Sequence, residues 1–253
     1  MLVMGILNLT PDSFADGGRH NSFDAGVARG LEMIAEGVDI IDIGGESTRP
    51  GADRISAEEE QARVLPVIAE LAKHGVRISI DTMRADTAEK AVQAGAAIIN
   101  DVSGGLSDHA MFATVKKLGV PYILMHWRGE SKDMNSRAIY TDVVTDVISE
   151  LNSQVDAALN AGIDKSQIII DPGLGFAKDA EQNWEILRNL NHFTSMGYPV
   201  LIGASRKRFL GGDNPDEREV ATIELTKTLV SQGIWGVRVH SVEPHVEVIA
   251  GAK

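Results

Sequence analysis

Seven side chains in this sequence carry the groups that chemistry on a small anionic heterocycle would need. Arg49, Lys207, Arg238 and His240 could form an anion pocket, and the planar fork of arginine suits bidentate contacts to phosphate. Asp81, Asn100 and Asp171 supply hydrogen-bonding groups of the kind a planar ring with several N–H donors and a carbonyl would use. A buried carboxylate is tolerable only where a ligand or a cation pairs with it. Taken singly, each residue has a plainer reading. An aspartate at a strand end is often a helix cap, the expected role above all for Asp42 and Asp101. Asn100 could satisfy loop backbone, a lone rim Arg or Lys is usually solvated, and His126 or His240 alone is more often structural than catalytic.

The plainer readings fail to explain position. Polar groups follow every one of eight short apolar runs. These ends are Asn8, Glu46 to Arg49, Asp81-Thr82, Asn100-Asp101, His126 to Arg128, Asp171, Ser205 to Lys207, and Arg238 with His240. The opposite junctions carry mainly glycine and small residues. Gly37, Gly75, Gly95, Gly119, Gly162, Gly197 and Gly233 each stand where a helical pattern stops and an apolar run follows, as expected of the left-handed residue that ends a helix. The runs themselves, such as Ile40-Ile41-Asp42-Ile43 and Ile168-Ile169-Ile170, are short and β-branched, as strands covered on both faces should be.

Between them lie segments of helical spacing. Val64, Leu65, Ile68, Leu71 and Ala72 share one stripe, with Ser56 and Glu59 set as a capping box before it. Val27, Leu31 and Ile34 mark the first helix, and Val144, Val147, Ile148, Leu151, Val155 and Leu159 the longest, from about Thr141 to Ala161. Strict alternation implies parallel strands and right-handed crossovers. Eight units in about 250 residues fit an α/β fold of the (β/α)8 TIM-barrel type, a single domain over 1–253; an open doubly wound sheet is the structural rival. In that barrel the polar ends gather at one mouth.

Composition narrows the function. A net charge of −12 argues against a general binder of nucleic acid or anionic membranes. An anionic substrate must therefore be caught by a local basic cluster. The absence of cysteine removes disulfides, thiolate metal sites and a thiol nucleophile, and suits a reducing cytoplasm. No stretch approaches the roughly 20 apolar residues of a membrane span, and the opening run Met1 to Asn8 reads as a strand, not a signal peptide.

At these same positions the chain closely resembles the dihydropteroate synthase family of folate biosynthesis. The matching blocks are Met4 to Asn8 with Thr10 to Phe14 and Asp16 to Gly18, Asp39 to Gly51, Ser79 to Thr82, Asn100-Asp101 with Gly104-Gly105, and Met125-His126. They continue with Asp171 to Gly173, Gly175-Phe176, Ser205 to Lys207, and Arg238 to His240. The blocks run in order over nearly the whole chain.

The resemblance implies a transferase that joins 7,8-dihydropterin-6-ylmethyl diphosphate to p-aminobenzoate, releasing pyrophosphate. It implies a pterin deep in the barrel, bound by Asp81, Asn100, Asp171 and Lys207 with Met125 and Phe176 packing on the ring. Asn8, Arg49, Arg238 and His240 would hold the diphosphate, with Mg2+ between phosphate, Asn8 and Asp12. The p-aminobenzoate would lie near Phe14, Thr48, Pro50, Ser205 and Lys207, where sulfonamides would compete. Lys207, Arg49, Asp81 and Asp12 are the implied catalytic set, and the implied assembly is a homodimer.

Four residues depart from the family pattern: Trp127, Ala177 where glycine is usual, Ala204 for threonine, and Ser241 for aspartate. None is a proposed ligand. Two rival readings are a methyltetrahydrofolate-binding methyltransferase barrel, which would not need the phosphate set, and a paralogue that binds pterins without turning them over.

Overall fold

A computed structural model of the protein describes residues 1–10, 19–47, 54–129 and 134–252. Eight parallel strands form one sheet: β1 Leu2–Asn8, β2 Ile40–Gly44, β3 Arg77–Asp81, β4 Ile98–Asp101, β5 Tyr122–Met125, β6 Ile168–Asp171, β7 Leu201–Ile202 and β8 Gly236–Val239. Their spatial order is β6-β5-β4-β3-β2-β1-β8-β7. The ends of that series meet at a single parallel bridge, Ile170 to Val200, where Ile170 N donates to Pro199 O at 2.9 Å. The sheet is thus a nearly closed barrel, and the open-sheet alternative does not hold. The seven junction glycines all lie at positive φ, from 69° to 119°.

The helices α1 Arg19–Ala35, α2 Ala57–Leu71, α3 Ala85–Ala94, α4 Met111–Leu118, α5 Val143–Asn160, α6 Ala180–Arg188, α7 Leu190–Thr194, α8 Pro215–Leu229 and α9 Glu243–Gly251 surround it. Ser56 caps α2, accepting from Glu59 N at 3.2 Å. The Glu59 carboxylate pairs instead with Arg63 at 2.5 Å, so one arm of the expected capping box is replaced by an i,i+4 ion pair. Reciprocal capping boxes form at Asp164/Gln167 and Asp179/Gln182.

Two helix faces differ from the sequence expectation. Leu31 is exposed, and α1 turns Gly26, Gly30 and Met33 inward. A Cβ on Gly30 would stand 2.4 Å from Leu71 Cδ1, so bare backbone there lets α1 rest on α2, and a hydrophobic count misses a face made partly of glycine. In α5 the buried face is Val143, Val147, Leu151, Gln154, Val155 and Ala158, while Val144, Ile148 and Leu159 pack at its edge.

Strand parity sorts the barrel. Met4, Ile40, Ile98, Ile123, Ile169 and Leu201 form a separate apolar cluster inside it. Ile41, Ile43, Ile78, Ile80, Ile99, Leu124 and Ile170 belong to the larger core shared with the helices. Side chains alternate along a strand. Asn8, Asp42, Ser79, Asp81, Asn100, Met125, Asp171 and Arg238 therefore share the inward parity of the apolar plug, one or two steps closer to the strands' C-terminal ends.

Candidate active site

The inward residues meet. Arg238 Nε donates to Asp42 Oδ2 at 2.6 Å and its Nη2 to Asp81 Oδ2 at 2.7 Å. Asn100 Nδ2 reaches the same Asp42 oxygen at 3.0 Å. These residues come from β8, β2, β3 and β4, so the network spans half the barrel. Asp42 is fully buried, and as a ligand of Arg238 it is not the helix cap expected of it. Its other oxygen, Oδ1, and Ser79 Oγ beside it have no hydrogen-bond partner among the described residues. Parity was the signal that could have found Asp42: it lies two residues after the inward Ile40. Asp101, facing outward, is not a helix cap either, since the next helix starts only at Met111. It holds the turn after β4, accepting from Ser103 N, Gly105 N and the Tyr122 hydroxyl, each at 2.8 Å.

Two inward positions beside the network carry no side chain. A Cβ on Gly44 would lie 3.5 Å from Asp81 Cβ and 3.6 Å from Asn8 Oδ1. On Gly203 it would lie 3.5 Å from Asp171 Oδ2. Glycine at both inward positions leaves the backbone bare beside Asn8, Asp81 and Asp171 at the mouth of the barrel.

Across it stands the β6–α6 turn. Asp171 Oδ1 accepts from Gly173 N at 2.7 Å. Lys207 Nζ donates to Leu174 O and sits 4.7 Å from the Phe176 ring centroid. Beyond it, Ser205 Oγ and His240 Nδ1 are 2.9 Å apart. Lys207 follows Arg206, which has a positive φ of 57° and is fastened by Glu219 at 2.5 Å and Ser241 at 2.8 Å. The departure at Ser241 thus keeps a contact to this arginine.

Electrostatics follow from burial. Burial raises the Asp81 carboxyl to about 7, with the Arg238 charge pulling the other way. Burial also raises Asp171, against the opposing pull of Lys207. The Lys207 ammonium is lowered to about 8 by burial, partly offset by Asp171. Burial disfavours the Arg238 cation too, but Asp42 and Asp81 outweigh it and raise its pKa. The centre is a set of buried charges whose desolvation only mutual pairing or a polar ligand can offset.

Of the residues expected at the site, Asn8, Asp81, Asn100, Met125, Asp171, Phe176, Ser205, Lys207, Arg238 and His240 are all at this mouth. Asp12, Phe14, Thr48, Arg49 and Pro50 lie outside the described residues. Sequence reasoning missed Asp42, and it missed the fastening of the Ser205–Lys207 turn.

The family model for pterin binding enzymes matches residues 4–240. Dihydropteroate synthase of Mycobacterium leprae (strain TN) is 48% identical over 98% of this chain and 90% of its own length. The structure of Xanthomonas albilineans dihydropteroate synthase with 4-aminobenzoic acid superposes with a TM-score of 0.93 at 41% identity, covering 99% of this chain and 91% of that one. The same enzyme in complex with 7,8-dihydropteroate gives 0.89 at 38% identity, with coverage of 99% and 91%. With fold and sequence in agreement over almost its whole length, the chain belongs to the dihydropteroate synthase family of pterin-binding enzymes.

Proposed function

We propose that the cleft bounded by Asp81, Asn100, Asp171 and Lys207 binds the pterin of 7,8-dihydropterin-6-ylmethyl diphosphate, and that the outer mouth binds p-aminobenzoate. As a member of its family the chain condenses these two into 7,8-dihydropteroate and pyrophosphate. The observation that carries the site assignment is the Arg238–Asp42–Asn100–Asp81 network at the inward strand ends, with bare glycine backbone beside it at Gly44 and Gly203. Carboxylates at its edge suit the N–H edge of a pterin, Met125 and Phe176 suit its faces, and the Lys207 ammonium suits its carbonyl.

Asn8, Arg49, Arg238 and His240 are assigned to the diphosphate. Phe14, Thr48, Pro50 and Ser205 are assigned to p-aminobenzoate, where sulfonamides compete. Among the described residues no three His, Cys, Asp or Glu side chains could hold a metal by themselves. That fits Mg2+, which is typically held by one or two protein oxygens plus phosphate and water. Asn8 Oδ1, near Gly44 at the mouth, would be one such oxygen and Asp12 the other. When bound, the ion neutralises charge on the departing pyrophosphate.

The protein's own residues bind and align. The C–O bond to the diphosphate breaks with its electron pair leaving on pyrophosphate. The electron-rich reduced pterin stabilises the cationic methylene, and the arylamine lone pair forms the C–N bond as its nitrogen gives up a proton to the departing pyrophosphate or to water. No protein nucleophile is needed; Arg49, Arg238 and His240 would hold the leaving group, while Lys207 and the carboxylates fix the ring. No described helix is long and apolar enough to cross a membrane; the cytoplasm is the proposed place of work, which a sequence without cysteine suits. A homodimer would use the late helices, where a groove between α6, α7 and α8 is lined by Trp184, Leu187, Leu190 and Leu225.

Pyrophosphate release from the pterin diphosphate, dependent on both p-aminobenzoate and Mg2+, is the expected result. Pterin binding by calorimetry without release would overturn the synthase reading and leave a non-catalytic pterin binder. Lys207→Ala and Arg49→Ala should each reduce turnover strongly and leave the fold intact; wild-type turnover in either sinks its assignment.

A further inference from the structure

Outside the ligand-facing set lies a buried lysine. Lys178, 8% exposed, directs Nζ to Gly173 O at 3.0 Å, Phe176 O at 3.1 Å and His126 Nδ1 at 2.9 Å. Burial lowers the Lys178 ammonium to about 7; in its charged form its three protons meet three acceptors. For His126 Nδ1 to accept, its proton must sit on Nε2, which faces Glu150 Oε2 at 2.9 Å. Burial and the neighbouring Lys178 lower His126 to about 4, in keeping with a neutral ring. Glu150 is held in turn by Arg128, which stacks 3.7 Å above the Tyr140 ring.

These groups surround a turn of unusual backbone. Gly173, Gly175 and Ala177 have φ of 69°, 75° and 47°. Ala177 takes the left-handed conformation without being glycine, where its Cβ crowds the following carbonyl oxygen. Such a conformation persists only where its surroundings fix it. The Tyr140 hydroxyl donates to Ala177 O at 2.9 Å, Asn183 Oδ1 accepts from Gly175 N at 2.6 Å, and Lys178 spans the two carbonyls. The same turn touches Lys207 twice, through Leu174 O and the Phe176 ring.

We propose that Lys178 is a positioning residue for pterin binding: anchored on His126 and Glu150, it sets the turn that presents the Phe176 ring and fixes the Lys207 ammonium. This rests on the pterin lying against Asp171, Phe176 and Lys207.

Lys178→Met keeps side-chain length and leaves two carbonyls and His126 Nδ1 without their donor. By calorimetry with 7,8-dihydropterin-6-ylmethyl diphosphate, its Kd should rise about tenfold, or about 1.4 kcal/mol, with KM for p-aminobenzoate within about twofold of wild type. Glu150→Gln, at the solvent end of the chain of contacts, should weaken pterin binding about threefold with the fold intact. A purely structural lysine would lower the melting temperature and leave the Kd of the folded variant unchanged, which would overturn the proposal. Should Lys178→Met fail to fold, Glu150→Gln decides: wild-type affinity overturns the proposal and a threefold loss supports it. Asp171→Asn and Phe176→Ala, measured alongside, separate the two ideas. If they weaken binding and Lys178→Met does not, the positioning role alone fails; if neither weakens it, the placement of the pterin fails.

Discussion

Arg238 is one cation shared by two buried carboxylates. Deleting it should therefore do more than remove a ligand. Arg238→Met leaves Asp42 and Asp81 facing each other in a medium that penalises charge, and removing one partner of a buried pair costs about 3–5 kcal/mol. The pH dependence has a definite sign. With Arg238 in place Asp81 is already raised to about 7 from 3.8; without the cation that opposed the shift it rises further. The folded variant then holds a proton that the unfolded chain has released, so its stability increases as pH falls through neutrality toward the ordinary carboxylate range. Thermal melts of Arg238→Met at about pH 8 and about pH 5.5 should show a higher melting temperature at the lower pH. Equal melting at both would mean that the carboxylates are not the seat of the penalty. Residues of this kind were unevenly legible. Asp81, Asn100 and Asp171 stand at strand ends, where position alone suggests a role. Asp42 stands inside a strand, and only its inward parity and a cation 196 positions away distinguish it.

At the scale of elements, most boundaries were readable because glycine and the apolar runs mark them. Faces were less so. The inner side of α1 could not be found by counting hydrophobic residues, since two of its positions are Gly26 and Gly30. Gly30→Ala puts a methyl group 2.4 Å from Leu71 Cδ1, and overpacking of this sort destabilises by about 1–3 kcal/mol; urea denaturation should show the loss, and a neutral result would mean α1 shifts freely on α2. The turn carrying Ser205 and Lys207 was also invisible in sequence, because its anchor lies on another element. Glu219 in α8 accepts from Arg206 and faces His245 Nε2 at 3.3 Å. Burial pushes its carboxyl up, but hydrogen bonds from His245 and Arg206 outweigh burial and hold it at about 2, below the ordinary 4.5. Its stabilising effect is complete above about 4.5 and is lost as pH falls toward about 2. Glu219→Gln should therefore melt lower than wild type at neutral pH, with the gap closing in acid. A constant gap across that range would place the effect in packing and not in charge.

For the whole molecule, the sequence reveals eight repeats but not how the ring closes. Hydrogen bonding around the barrel is uneven: β1 and β2 pair over five residues, β7 and β8 over two, and β6 meets β7 through one bridge. Nothing in the run Pro199 to Ile202 announces a weak seam, since its apolar content matches that of better paired strands. Local opening follows local hydrogen bonding and burial, so the Ile170 amide, bonded to Pro199 O, should exchange with solvent at least about tenfold faster than amides in β2. The seam also lies between two groups proposed to bind the pterin, Asp171 at the end of β6 and Lys207 after β7. A pterin bound to both would bridge the weakest joint in the barrel and resist its opening by its own binding free energy. Hydrogen exchange with and without the pterin diphosphate should therefore show added protection at Ile170 and through residues 199–202, and little change between β1 and β2. Uniform protection around the barrel would show that the ligand stabilises the fold as a whole, and loss of protection at the seam would place the pterin elsewhere.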